Sequence, residues 1–180
     1  SAKPAARDPR FSGYAGDGGT SDVIKLADVD LAELPRFSSG MQEFDRVLGG
    51  GLVPGSAILI GGHPGAGKST LLLQTLCYLA TQMPAIYVTG EESLQQVALR
   101  ANRLGLPTDQ LQMLSETNVE RLTNVLQQHK PRIVVIDSIQ VMHVDGIESA
   151  PGSVSQVRES AAYLTRFAKQ TGTVLFLVGH

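Results

Sequence analysis

The strongest constraint on this chain lies at residues 62–69, where Gly62-His63-Pro64-Gly65-Ala66-Gly67-Lys68-Ser69 fits the pattern G-x-x-x-x-G-K-[ST]. Its setting makes the match informative. The apolar run AILI precedes it and KSTLLLQTLCYLAT follows. In that second run Leu72, Leu76 and Leu79 recur at helical spacing, and Leu71, Leu73 and Cys77 widen the apolar surface. A strand that ends in a glycine-rich turn and opens into a helix points backbone N–H groups inward and adds the helix's partial positive charge. Together these form a cradle for phosphate oxygens. Glycines 62, 65 and 67 allow the turn, Lys68 can reach β and γ phosphates, Ser69 can place its hydroxyl on Mg²⁺, and Thr70 supports the first helical turn. The expected nucleotide contacts are therefore Gly62, His63, Pro64, Gly65, Ala66, Gly67, Lys68, Ser69 and Thr70.

The same strand-then-helix grammar repeats downstream. AIYVTG reads as a strand, Ser93 as an N-cap and LQQVALRANRLG as a helix. LQMLS reads as a brief strand and NVERLTNVLQQH as a helix with Val119, Leu122 and Val125 or Leu126 inward. IVVID, a continuous apolar run rich in branched residues, fits a central parallel strand covered on both faces. QVRESAAYLTRFAKQ then gives a helix with Val157, Ala161, Leu164 and Ala168 inward, and TVLFLVGH a last strand. Such alternation predicts an α/β fold: a mostly parallel central sheet, flanking helices and right-handed crossovers.

Upstream, SSGMQEFDRVLGGGLVPG predicts a short helix opened by a Ser39/Gln42 capping box, carrying Met41, Phe44, Val47 and Leu48 on one face and stopping at Gly49 to Gly51. VIKLADV and LAELPRF are expected to form an edge strand or lid. The domain reading is a flexible linker or entry segment over 1–30 and a partial nucleotide-binding domain over 31–180, cut on the C-terminal side of its sheet because His180 follows a strand without loop or cap.

Composition narrows the function classes. With 42% hydrophobic and 18% charged residues among 180, the chain can bury a core and is not an unfolded tail. A net charge of -2 advertises no global basic field for nucleic acid. The single cysteine and four histidines show no zinc spacing. Cys77 has no internal partner for a disulfide and no charged start with an apolar core and cleavage site appears, so a reducing, cytoplasmic setting is expected. No apolar run approaches the roughly 18 residues that span a bilayer.

Other chemistry-bearing residues fall at strand ends. A parallel sheet gathers the carboxyl ends of its strands on one edge, so Asp137, closing IVVID, can order a Mg²⁺-bound water beside Ser69. Glu91 and Glu92 follow YVTG at that edge. A carboxylate there either orients and deprotonates an attacking water or simply complements a helix entry. Glu91, first after the glycine, is the better placed, with Glu92 modulating its field or reaching a neighbour. Ser138 hydrogen-bonds the turn. His180 could read a γ-phosphate from its own strand end. The Val141–Ser155 loop has little to build a core and enough Gly, Ser and Pro to stay mobile.

Taken in order, EFDRVLGGGLVPGS, GGHPGAGKSTLLLQ, YVTGEES, RANRLG, VVIDSIQ, APGSVSQVRE, AK and LVGH resemble the bacterial DNA-repair ATPases of the RadA (Sms) family, in the RecA-like group of P-loop motors, over residues 34–180. The resemblance implies a RecA-like core that hydrolyses ATP to ADP and phosphate with Mg²⁺. It further implies a homo-oligomer, a hexamer when intact, acting on single-stranded or branched DNA in recombinational repair and branch migration, with a RecA-type recombinase as a partner. Zinc belongs to a family finger absent from this chain.

By the same resemblance Lys68 and Ser69 take the nucleotide and magnesium positions, Asp137 the second magnesium-associated carboxylate, and Glu91 the catalytic glutamate. His180 takes the place of a polar γ-phosphate sensor, so the catalytic set is Glu91, Lys68 and His180. The Val141–Ser155 loop becomes the DNA element, although Asp145 and Glu148 oppose a simple phosphate path. Arg158, Arg166 and Lys169 are the candidate DNA contacts, against the alternative of a solvated helix face salted by Glu159. The competing functions are a RecA-like ATPase acting on protein and a nucleotide-dependent scaffold module.

Overall fold

The computed structural model describes residues 21–30, 36–61 and 66–179. The linker expected at 1–20, residues 31–35, phosphate-loop residues Gly62, His63, Pro64 and Gly65, and His180 lie outside the described residues.

Five strands, β1 (Ala57–Ile60), β2 (Ala85–Thr89), β3 (Gln112–Ser115), β4 (Ile133–Asp137) and β5 (Val174–Val178), form one sheet in the order β1-β5-β4-β2-β3. Every neighbouring pair is parallel. Parallel neighbours need a long crossover, and the helices supply it: α2 (Ala66–Leu79), α3 (Leu94–Arg103), α4 (Val119–His129) and α5 (Val154–Thr171), preceded by the short α1 (Gln42–Val47). Strand alternation sorts the core into two layers. Tyr87, Ile133, Val135, Phe176 and Val178 face α2 and α3, whereas Ile86, Val88, Val134, Ile136 and Leu177 face α4 and α5. As the continuous apolar run requires, β4 is central, and Ile133 to Ile136 are at most 1% exposed.

Local chemistry fixes the helix ends. At α3, Ser93 Oγ accepts from Gln96 N–H and Gln96 Oε1 accepts from Ser93 N–H, a reciprocal cap. Asn118 Oδ1 caps α4 by accepting from Arg121 N–H at 2.8 Å. Helix α5 stops at Gly172, whose φ of 79° suits a residue without Cβ.

Four expectations change. The Ser39/Gln42 box is replaced by a different arrangement, in which Ser39 Oγ accepts from Met41 N–H and the carboxylate reaching back to Ser39 N–H is that of Asp45. Two further hydrogen bonds, from Ser39 and Ser38, hold the Asp45 pKa below its ordinary value although burial acts to raise it. Leu71 is 63% exposed, because it lies on the solvent side of α2 while Leu72, Leu73, Leu76 and Cys77 are buried. VIKLADV forms no strand: Leu26–Asp28 is a single 3-10 turn and Val23, Ile24, Leu26 and Val29 are all exposed. From LAELPRF, Phe37 makes an isolated antiparallel bridge with Leu52.

The fourth change concerns the Val141–Ser155 loop, which contributes to the core. Met142 is fully buried and Val144 nearly so, both within the α4/α5 layer. Gln156, 2% exposed, ties the loop down: its Oε1 accepts from Val144 N–H at 2.9 Å, and its Nε2 donates to the carbonyls of Val144, Ile147 and Ser149. Asn118 Nδ2 donates to Asp145 Oδ1, and Asp145 N–H donates to Glu120 Oε1, fastening the loop to the start of α4. Counting Gly and Ser missed the apolar spacing of Ile139, Met142 and Val144. Gln156→Leu leaves buried backbone groups without partners and is expected to lower stability by about 1–3 kcal/mol. A urea melt measures the loss, and faster exchange of the Val144 amide locates it.

Candidate functional site

The parallel arrangement brings the strands' carboxyl ends to one edge, and the register shows which residues meet there. Thr89 pairs with Asp137, Asp137 with Val178, and Val178 with Ile60, so four strands end in one row. Strand spacing puts Asp137 roughly 10 Å across the row from Ile60. Gly90 N–H donates to the Asp137 carbonyl and Gly179 N–H to that of Ile60, extending the ladder one residue past the strands. At Gly90 any Cβ would sit 2.4 Å from Val141 Cγ2, so only glycine lets β2 leave the sheet beneath this loop.

Helix α2 starts against this edge. The Lys68 ammonium donates to the Gly179 carbonyl, which places the cation over the end of β5. Ser69 and Thr70 are half-buried in the same turn. A Cβ built on Gly67 meets nothing within 4 Å among the described residues, so crowding there does not account for a residue that costs a helix about 1 kcal/mol relative to Ala.

Alternation along β4 turns Asp137 toward the α2 layer, where its Oδ2 accepts from the Tyr87 hydroxyl at 2.7 Å. Burial, then the Asp137 charge, raises the Tyr87 pKa far above its ordinary value, so the phenol stays a donor. The Asp137–Ser138 peptide is cis.

The adjacent glutamates diverge. Glu92 Oε2 lies 2.6 Å from Arg100 Nη1 on α3, and the Glu92 carbonyl accepts from Thr89 Oγ1. Burial acts to lower the Arg100 pKa, but the hydrogen bond and charge of Glu92 outweigh it and raise the value. Glu91 is exposed, and its Oε1 accepts from Ser138 Oγ at 3.2 Å. Ser138 itself is fully buried, so its hydroxyl holds the Glu91 carboxylate against the end of β4. Sequence reading assigned Ser138 only to its own turn; the available signal was its position one residue past Asp137, at the shared edge.

Lys68, Ser69, Asp137 and Glu91 thus belong to elements that converge on one sheet edge. The basic candidates do not converge. Arg158 is exposed near the start of α5, while Lys169 lies in its last turn, about 16 Å further along the helix axis. Between them Arg166 stands 5.7 Å from the Tyr163 ring. Among the described residues no group of three or more His, Cys, Asp or Glu could hold a metal ion, and no helix is long and apolar enough to cross a membrane.

Known proteins resemble the chain over most of its length. A family profile described as an AAA domain matches residues 24–180. The chain is 67% identical over 175 residues to the DNA repair protein RadA of Escherichia coli (strain K12), covering 97% of this chain and 38% of that protein. It is 64% identical over 175 residues, with the same coverage, to the protein of that name from Haemophilus influenzae. It is 49% identical over 156 residues to the one from Bacillus subtilis (strain 168), covering 86% of this chain and 34% of the relative. The chain therefore spans little more than a third of the length of these curated relatives.

Proposed function

The chain belongs to the AAA-domain family, and from that premise we propose that it is the ATP-binding and ATP-hydrolysing part of a DNA-repair motor. One observation carries the reading: the Lys68 ammonium, the Asp137 carboxylate and the Glu91 carboxylate are delivered to one sheet edge by three different elements. The Lys68 donor at the start of a helix fits a phosphate group.

When bound, Mg²⁺·ATP would supply the phosphoryl group and a divalent charge that offsets the charge on its oxygens. Lys68 would exchange the Gly179 carbonyl for β and γ phosphate oxygens, and Ser69 and Asp137 would hold the metal, Asp137 through a water. Glu91 takes the proton of the attacking water while Ser138 keeps its carboxylate oriented. Glu92, committed to Arg100, leaves that role to its neighbour. The main-chain donors of residues 62–70 would serve the phosphates and His180 would sense the γ-phosphate; of these, residues 62–65 and His180 lie outside the described residues.

The name of the relatives supports DNA as the target. On this reading the intact protein is a homo-oligomer, a hexamer, that works on single-stranded or branched DNA in the cytoplasm alongside a RecA-type recombinase, with zinc bound outside this chain. Turnover measured with and without single-stranded DNA tests the proposal. Stimulation supports it, indifference to DNA points to an ATPase acting on protein, and binding without turnover points to a scaffold.

The DNA contact is tested at Arg158, exposed beyond the loop that leaves the nucleotide edge. Arg158→Ala in the full-length oligomer is expected to weaken binding to unrelated sequences alike and to flatten the log–log salt slope by about one unit, as one lost phosphate contact does. Titrations at several salt concentrations read this out, with assembly mass checked in parallel. Unchanged affinity and slope in an intact oligomer exclude Arg158 as a DNA ligand, and loss of assembly moves it to the subunit interface.

A further inference from the structure

Tyr87 is fully buried in the layer between the sheet and helices α2 and α3, where a phenylalanine would fill the same space. A buried hydroxyl costs free energy unless it is bonded, and this one has its partner in Asp137 Oδ2, 2.7 Å away. The register explains how they meet. Thr89 pairs with Asp137 on the neighbouring strand, so Tyr87, two residues back, points to the same face. Its ring extends along the strand toward the edge and carries the hydroxyl to the carboxylate.

A carboxylate turns about its last torsion in a broad, roughly two-fold well and has no single preferred orientation of its own. A phenol held by packing on every side is a fixed donor, since only two torsions position it and both are set by the core. Its bond selects one orientation of Asp137, engages Oδ2 and leaves Oδ1 toward other partners. Arg100 approaches the same pair closely enough for its charge to act on both, but it makes no hydrogen bond to Asp137: its Nη1 is engaged by Glu92, and its buried Nε and Nη2 have no partner among the described residues. The directional restraint on Asp137 therefore comes from Tyr87.

We propose that Tyr87 is a positioning residue for the magnesium-associated carboxylate, its hydroxyl fixing the orientation in which Asp137 presents Oδ1 to the water shell of the metal. The assignment rests on the nucleotide-site reading above, and it adds a member to the site that sequence motifs do not mark, from the middle of a strand.

The test is the Mg²⁺ requirement for binding, measured in the full-length protein with a fluorescent ADP analogue as probe. Tyr87→Phe removes one oxygen and is expected to melt near the parent temperature and to bind the analogue unchanged in excess EDTA. The Mg²⁺ concentration giving half of the metal-dependent gain in affinity should rise about tenfold, the scale of effect seen when a partner that orients a metal-site group is lost. In an Asp137→Asn background the same substitution should move that midpoint less than twofold, because the restraint has lost its target.

A folded Tyr87→Phe with an unchanged midpoint overturns the proposal, and so does a shift that persists undiminished beside Asp137→Asn. These results differ from a failure of the underlying reading, in which the parent protein itself binds no nucleotide at any Mg²⁺ concentration and Tyr87 loses its role with the site.

Discussion

Lys68→Ala is expected to leave the fold intact and to reduce ATP turnover by roughly 10²-fold or more, the scale on which a single pre-placed charge-stabilising donor acts. The separation of fold from turnover follows from where the side chain lies. Lys68 is half-buried at the first turn of α2, and its ammonium meets the Gly179 carbonyl just past the end of β5. Removing it creates no core cavity, and among the described residues it costs one hydrogen bond, to the Gly179 carbonyl. Circular dichroism should match the parent. Parent-level hydrolysis by the folded variant would take Lys68 out of the mechanism.

Glu91→Gln is the second large effect. Glutamine keeps the size of the side chain and still accepts from Ser138 Oγ, but it cannot take a proton from water. Hydrolysis should fall by roughly 10²-fold or more while nucleotide affinity stays within about tenfold, the pattern of a group needed in the transition state and not in the ground state. Glu92→Gln is the internal control. Its partner is Arg100, so the change should act first on how β2 is fastened to α3 and only secondarily on rate. A greater rate loss at Glu92 than at Glu91 would reverse the two assignments.

These two residues also show what a sequence can and cannot disclose. The strand, glycine turn and helix around Lys68 are local in the chain, so spacing alone exposes them. Helix α3 likewise begins at the Ser93 cap expected from its neighbours, and IVVID takes the centre of the sheet, where both of its faces are covered. Glu91 and Glu92, by contrast, are adjacent and chemically identical. What distinguishes them is a serine 47 residues away in one case and, in the other, an arginine 8 residues away on α3. The partner of Tyr87 is 50 residues distant. The order of the loop after β4 is hidden for a related reason: the bonds of Gln156 run to backbone carbonyls, which every residue possesses, so no residue type announces them.

The two-layer sorting of the strands makes the location of Asp137 a question of parity. From Ile133, odd positions face α2 and α3 and even positions face α4 and α5, so the carboxylate reaches the side of Lys68 only because an even number of steps separates the two ends of β4. Exchanging Val134 for Ile, or Ile136 for Val, alters volume and leaves this count untouched. Deleting either of these residues preserves almost all of the hydrophobicity, yet it transfers every later side chain of the strand to the opposite layer and delivers the acid to the apolar side of α4 and α5. For this strand length is therefore a stricter specification than composition, and the chemistry at its end is set by arithmetic before it is set by residue type.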